Sequence, residues 1–396
     1  MRKVVWTPPP GLRLNQGRMN HPSFGHPLAQ AHTVVTRTPD ERQYMHDPVL
    51  ALLPGGTLIA ACTCIVRPQC LGKDDIPGTG TVSILRSRDQ GRTWQTVHVQ
   101  PGAQGAPFFH GGRLYLFSQP NRFDGIWFSA SDNEGETWTE PVRVLDGPYW
   151  TCLPPAIVRD GTLYWAVSEQ FNRIAVTACD LRKGILDPAA WRISPVVEMP
   201  LPAELDPGLF PGRIGMRCLE GNVVDVGGHL RILARPILDS QGTANIAAGF
   251  AIEDKDGKLD LRFTQFYGLP GGQCKFHIVY DEREKMFWMA SNLPTNSQNL
   301  LNWSHEHFTY APGNERRFLF LWYGLDAHNW FPAGCIAAAR KTQQSFMYPS
   351  LAIDGEDLAI LSRTAVDSGH LHDADQVTFH RLENFRRLAL DLRPAI

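Results

Sequence analysis

The sequence predicts an all-β chain, a six-bladed β-propeller of four-stranded antiparallel blades, from three observations. A pair of apolar strands joined by a Gly-containing turn recurs six times along the chain. A short polar turn pattern recurs twice with its key positions kept. The 35 Gly and 30 Pro favour many short strands and turns over long helices.

In order along the chain, residues 1–30 form an irregular N-terminal segment, and Ala31–Arg37 (AHTVVTR) reads as a strand that joins the last blade to close the ring. The strand pairs then begin. They run as HDPVLALLPGGTLIAAC at 46–62, GAPFFHGGRLYLFS at 105–118 and LPPAIVRDGTLYWAV at 153–167. They continue as EGNVVDVGGHLRILAR at 220–235, KFHIVYDEREKMFWMAS at 275–291 and YPSLAIDGEDLAILSR at 348–363. Each is a hairpin with a D-G, G-G or longer turn, and the residues after it supply two more strands. The first polar turn, Ser87–Trp94, joins strands at Val82–Leu85 and Trp94–Val99. Asp89 supplies a self-capping side chain and Gly91 a positive φ, while Trp94 buries its ring over the turn. Ser131–Trp138 repeats it with Asn133 in place of the Asp. No composition shift marks a boundary, so 1–396 is expected to be one domain. The lengths of 168–219 and 292–345 leave a seventh, atypical blade open.

Composition limits function. A net charge of −2 offers no basic face for nucleic acid, and no window of about 18 apolar residues exists to span a membrane. The start MRKVVWTPPPGLRLN has no apolar signal core, so a cytoplasmic protein is expected, or a secreted one whose leader was removed. Eight cysteines without a C-x2-C pair read as buried thiols. There is no phosphate-binding Gly loop, Ser-His-Asp elbow or dinucleotide fingerprint, and no cofactor is expected. Oligomeric state is left open.

In a propeller the innermost strands begin at the funnel mouth, so the residues opening each strand pair converge near the axis. These include His46 with Asp47, Arg217 with Glu220, His277, and Tyr348. Ends of second strands add Arg67, Arg235 and Arg363. Arginines, a tyrosine and carboxylates together suit a small anionic ligand, because a guanidinium grips a carboxylate through two parallel hydrogen bonds.

The two S-x-[DN]-x-G-x-T-W turns resemble the Asp-box of the sialidase superfamily, and the resemblance covers residues 44 to about 365. There the box is structural and faces away from the active site. The family's first-strand Arg-Ile-Pro stands here as His46-Asp47-Pro48, and Arg67 falls where another active-site Arg is kept. The following loop, which holds the acid/base Asp, offers Asp74 and Asp75. Glu220 to Arg235 is similar to the stretch with the catalytic Glu and the next triad Arg. Arg316-Arg317-Phe318, leading to a degraded box at Gly324–Trp330, resembles the strand with the last triad Arg. That role is assigned to Arg317, with Arg316 its rival because strand alternation sends only one inward. Tyr348 stands at the position of the nucleophilic Tyr.

The resemblance implies an exo-acting glycosidase that removes a terminal acidic sugar, sialic acid-like or uronic, from a glycan. Tyr348 would be the nucleophile, Glu220 its base and Asp74 or Asp75 the acid, with Arg67, Arg235 and Arg317 positioning the substrate. His46 in place of the first triad Arg, and Ser362-Arg363 where its orienting Glu would stand, move the expected substrate towards a uronic acid. Arg363 then becomes a replacement cation, and Asp47 a substrate-binding neighbour of His46. Some other propellers of this look, uronate lyases and a rhamnosidase-like group, rely on a His there. Two alternatives stay open: a lyase or His-dependent glycosidase on uronates with His46 or Tyr348 as base, and a non-catalytic glycan-binding propeller. His110 and His277 read as structural. The run His370-Leu371-His372-Asp373-Ala374-Asp375 and the pair Cys62-x-Cys64 have metal-ligand residue types but read as loop and strand, and no metal is expected.

Overall fold

The computed structural model describes residues 26–73, 75–151, 156–200, 217–237, 245–272, 274–294, 316–341, 344–368 and 371–390. Every predicted strand pair becomes the inner half of a sheet. The described residues form six antiparallel sheets, one per blade of a six-bladed propeller. In the first blade the inner strand is split into Gln43–Met45 and Val49–Leu52, both paired with Leu58–Val66, followed by Gly80–Ser87 and Gln95–Gly102. The innermost strands of the second to sixth blades are Gln104–His110, Tyr149–Trp150 with Ile157–Arg159, Arg217–Val226, His277–Asp281 and Ser345–Asp354. As expected, Thr33–Arg37 closes the ring by pairing with Gln376–Leu382 of the sixth blade. The long segments that left a seventh blade open contribute no further sheet among the described residues, although 201–216 and 295–315 lie outside them.

Successive strand residues point to opposite faces, and in a propeller both faces of a blade are covered by its neighbours. That is why strands such as LIAACTCIV read as continuous apolar runs instead of alternating ones. Leu58, Ala60 and Cys62 pack with Met347, Leu361 and Phe379 of the sixth blade. Ile59 and Ala61, from the same strand, pack with Leu114 and Leu116 of the second. The apolar core is thus divided into six clusters, one at each junction between blades.

The two repeated turns fold alike. Ser87 Oγ accepts from Gly91 N at 2.9 Å, Asp89 from Thr93 N at 2.9 Å, and Trp94 Nε1 donates to Gly91 O at 3.1 Å. Ser131, Asn133, Gly135, Thr137 and Trp138 repeat these bonds. Pairing of Ile65 with Gly80 and Leu58 with Ser87 puts the first turn at the opposite end of the blade from Arg67. Gly91 has φ +87°, and a Cβ there would lie 2.0 Å from Phe379. This turn therefore docks against the sixth blade, across the junction where the ring closes.

Candidate active site

The blades can be aligned on the last residue before each inner hairpin turn: Leu52, His110, Arg159, Val226, Asp281 and Asp354. The sixth residue before each of these is His46, Gln104, Leu153, Glu220, Lys275 and Tyr348. Leu153 lies outside the described residues. The other five are one ring of equivalent positions around the axis. Counting this register finds Gln104 and Lys275, which the sequence reading passed over, by the same periodicity that marked Glu220 and Tyr348.

Two of these positions have unusual backbones. Glu220 (φ 56°) and Tyr348 (φ 51°) are left-handed non-glycine residues. Each sits in a β-bulge, one between Leu219 and Asn222 and the other between Met347 and Ser350. A side chain other than Gly in this region costs about 1–3 kcal/mol, which surrounding contacts must offset. In the first blade Pro48 lacks an N–H and breaks the inner strand, leaving His46 and Asp47 between its two pieces.

The residues before the two bulges pair with arginines: Leu219 with Arg235 and Met347 with Arg363. Arg235 Nη1 donates to Glu220 Oε2 at 2.8 Å and to the Tyr348 hydroxyl at 3.4 Å, so one nitrogen holds both groups. Burial works against the Arg235 charge, but Glu220 and Tyr348 outweigh it and raise its pKa. The guanidiniums of Arg363 and Arg316 lie 4.8 and 5.2 Å from the centroid of the Tyr348 ring, and Lys275 Nζ lies 5.5 Å from it. All of these side chains are buried.

His46 Nδ1 is 2.9 Å from Asp47 Oδ2, and the same oxygen accepts a hydrogen bond from Gln104 Nε2 at 3.0 Å. Burial alone would raise the Asp47 pKa; His46, Lys275 and Arg363 instead hold it well below the usual carboxylate range. The His46 ring packs edge-on against Tyr44 and Trp150, at 5.9 and 5.7 Å. Arg122 covers Trp150 at 4.8 Å.

Several sequence expectations change. The arginine at Tyr348 is Arg316, while Arg317 is half-buried over the Phe318 ring at 5.1 Å. Strand alternation sends the first of the pair inward. Arg67 does not share the register of Arg235 and Arg363 but lies beyond its strand end, Val66. Its Nη1 and Nη2 donate to Asp373 Oδ2 and O, both at 3.1 Å, and its Nε to Glu41 O at 2.9 Å. Arg67 is therefore a clamp between the first and last blades. Asp47 is fully buried, with Oδ2 2.9 Å from His46 Nδ1 and 3.0 Å from Gln104 Nε2. Asp75 is partly exposed and accepts from Gly72 N at 2.7 Å. Asp74 lies outside the described residues, as does His370.

His277 is structural: its Nδ1 accepts from Leu351 N at 2.9 Å, tying the fifth blade to the sixth. Asn222 makes the equivalent tie to Ile278 N, and Ser350 to Leu50 N. His372 and Asp373, from the run with metal-ligand residue types, meet the arginines. His372 Nδ1 is 2.8 Å from Asp373 Oδ1 and 3.2 Å from Arg363 Nη2. Beside them opens a cleft of about 980 Å³ walled by Tyr44, Arg67, Gln69, His372 and Asp373. Arg363 is 5.4 Å from the Tyr44 ring and 4.8 Å from the Tyr348 ring, and His372 packs edge-on against Tyr348 at 6.1 Å.

No protein-family model matches the chain, and no curated protein matches it. Solved structures do. A protein of unknown function from Dyadobacter fermentans superposes with a TM-score of 0.56 at 13% identity, over 89% of this chain and 97% of that one. The Penicillium chrysogenum α-L-arabinanase complexed with arabinobiose gives 0.52 at 14%, over 90% and 98%. A Trypanosoma rangeli sialidase mutant displaying trans-sialidase activity gives 0.55 at 15%, over 91% of this chain but 58% of the sialidase. At such identities the likeness is one of fold, shared with proteins that include glycosidases.

Proposed function

We propose that the chain is a glycoside hydrolase that removes a terminal acidic sugar, with Tyr348 as nucleophile and Glu220 as its base. The observation that supports it best is the shared Arg235 nitrogen. It holds the Tyr348 hydroxyl and the Glu220 carboxylate together on two strained bulges at the same register of two blades. A phenol with a reference pKa near ~10 needs a base to attack. The cations around the ring favour a substrate carboxylate. Arg316 and Arg363 position that carboxylate, and the acid comes from the Asp74–Asp75 loop. An electron pair from the Tyr348 oxygen forms a bond to the anomeric carbon as the glycosidic bond breaks. The acid protonates the leaving oxygen, and water then releases the sugar.

A second reading is β-elimination from a uronate with His46 as base, favoured by the 2.9 Å approach of Asp47 to its Nδ1. Incubation of the protein with sialosides and uronosides separates the two. Release of a saturated acidic sugar is expected. A rise in near-ultraviolet absorbance, from a new C=C bond, would transfer the chemistry to His46. Tight binding without product would leave a glycan-binding propeller.

A further inference from the structure

We propose that Lys275 and Arg363 form a second anion position beside Tyr348, so that the substrate brings two negative charges to the site. The proposal rests on the acidic-sugar reading and narrows its substrate class to a uronic-type sugar with a further anionic oxygen group, such as a sulfate ester.

Lys275 is 1% exposed and occupies the register position of Glu220 and Tyr348 on the fifth blade. Its Nζ has no hydrogen-bond partner among the described residues, and it points at the Tyr348 ring from 5.5 Å. Arg363 is 0% exposed; its Nη2 meets His372, while Nε and Nη1 are without partners among the described residues. A buried cation is costly unless it is paired, so two of them facing one ring call for an anion between them.

Charge counting agrees. Four cations surround Tyr348: Arg235, Arg316, Arg363 and Lys275. Of the described carboxylates, Glu220 pairs with Arg235 and Asp373 with Arg67, and Asp47, beside His46, is the one whose charge both Lys275 and Arg363 feel. Tyr44 and His372, the two side chains that flank Arg363, form part of the cleft wall.

Inorganic sulfate and a matched pair of uronosides, plain and sulfated, test the proposal by calorimetric binding and thermal shift, neither of which needs turnover. Wild type should show a saturable rise in Tm with sulfate and bind the sulfated uronoside at least about tenfold more tightly than the plain one. Lys275→Met should lose both effects while its Tm without ligand stays equal or rises, since a buried unpaired charge is removed. Sulfate binding without any hydrolysis would defeat the hydrolase and leave the anion position standing. The proposal is overturned if wild type shows neither the shift nor the preference. It is also overturned if Lys275→Met keeps them, or if that variant is destabilised without ligand as the loss of a structural ion pair would require.

Discussion

Replacing Tyr348 by Phe separates chemistry from architecture at the centre of the site. The change deletes only the hydroxyl, whose contact with Arg235 is long at 3.4 Å. A net hydrogen bond is worth about 0.5–1.5 kcal/mol, and this one should fall at the low end. The ring, its packing under Arg363, Arg316 and Lys275, and the left-handed backbone at φ 51° all remain. Stability should therefore drop by less than about 1 kcal/mol, read from the denaturant midpoint. Arg235 keeps its 2.8 Å bond to Glu220 and stays neutralised. Activity on the acidic-sugar glycoside should nevertheless fall on the order of 10³-fold in kcat, roughly 4 kcal/mol in the barrier, with KM little changed. Retention of activity within tenfold would refute Tyr348 as nucleophile. Loss of activity together with several kcal/mol of stability would show that the hydroxyl supports the fold.

Gly91→Ala should cost about 2–4 kcal/mol, from the positive φ and the 2.0 Å approach to Phe379, measured by denaturant unfolding. Gly257→Ala, with nothing within 4 Å, should cost about 1–2 kcal/mol. If Arg67 is a clamp, Arg67→Met and Asp373→Asn should each destabilise, with a double-mutant coupling of about 1–3 kcal/mol; a raised KM at unchanged stability would return Arg67 to substrate binding. Burial, aided by Lys275, holds His277 down at about 3, and burial with His32 nearby holds His380 at about 4, against the ordinary 6.5. The unfolded chain therefore takes up protons that the native state refuses. Stability should decline as pH falls from 6.5 towards 4, by roughly 1.4 kcal/mol per pH unit for each histidine. His277→Gln should flatten that slope, and an unchanged slope would mean that His277 already titrates in the folded chain.

The blades were legible because each carries its own short-range signals. Apolar runs, Gly turns and Ser87–Trp94 with its copy depend on neighbours in sequence, and strand pairing within a hairpin follows from them. Tyr348, Glu220, Arg235 and His46 were found for the same reason: each stands at a marked place in a hairpin. Lys275 and Gln104 stand there too, and aligning the hairpin turns one against another would have exposed them. What the sequence could not decide was everything set by contact between blades. Whether Arg316 or Arg317 faces Tyr348 depends on where the strand Phe318–Gly324 enters its sheet. Arg67 met Asp373, 306 residues away, only because ring closure brings the first and last blades together. Local periodicity thus determined the architecture and the circle of axial positions. The partner of each charged side chain was decided by the tertiary structure, because in a propeller those partners come from neighbouring blades, far away in sequence.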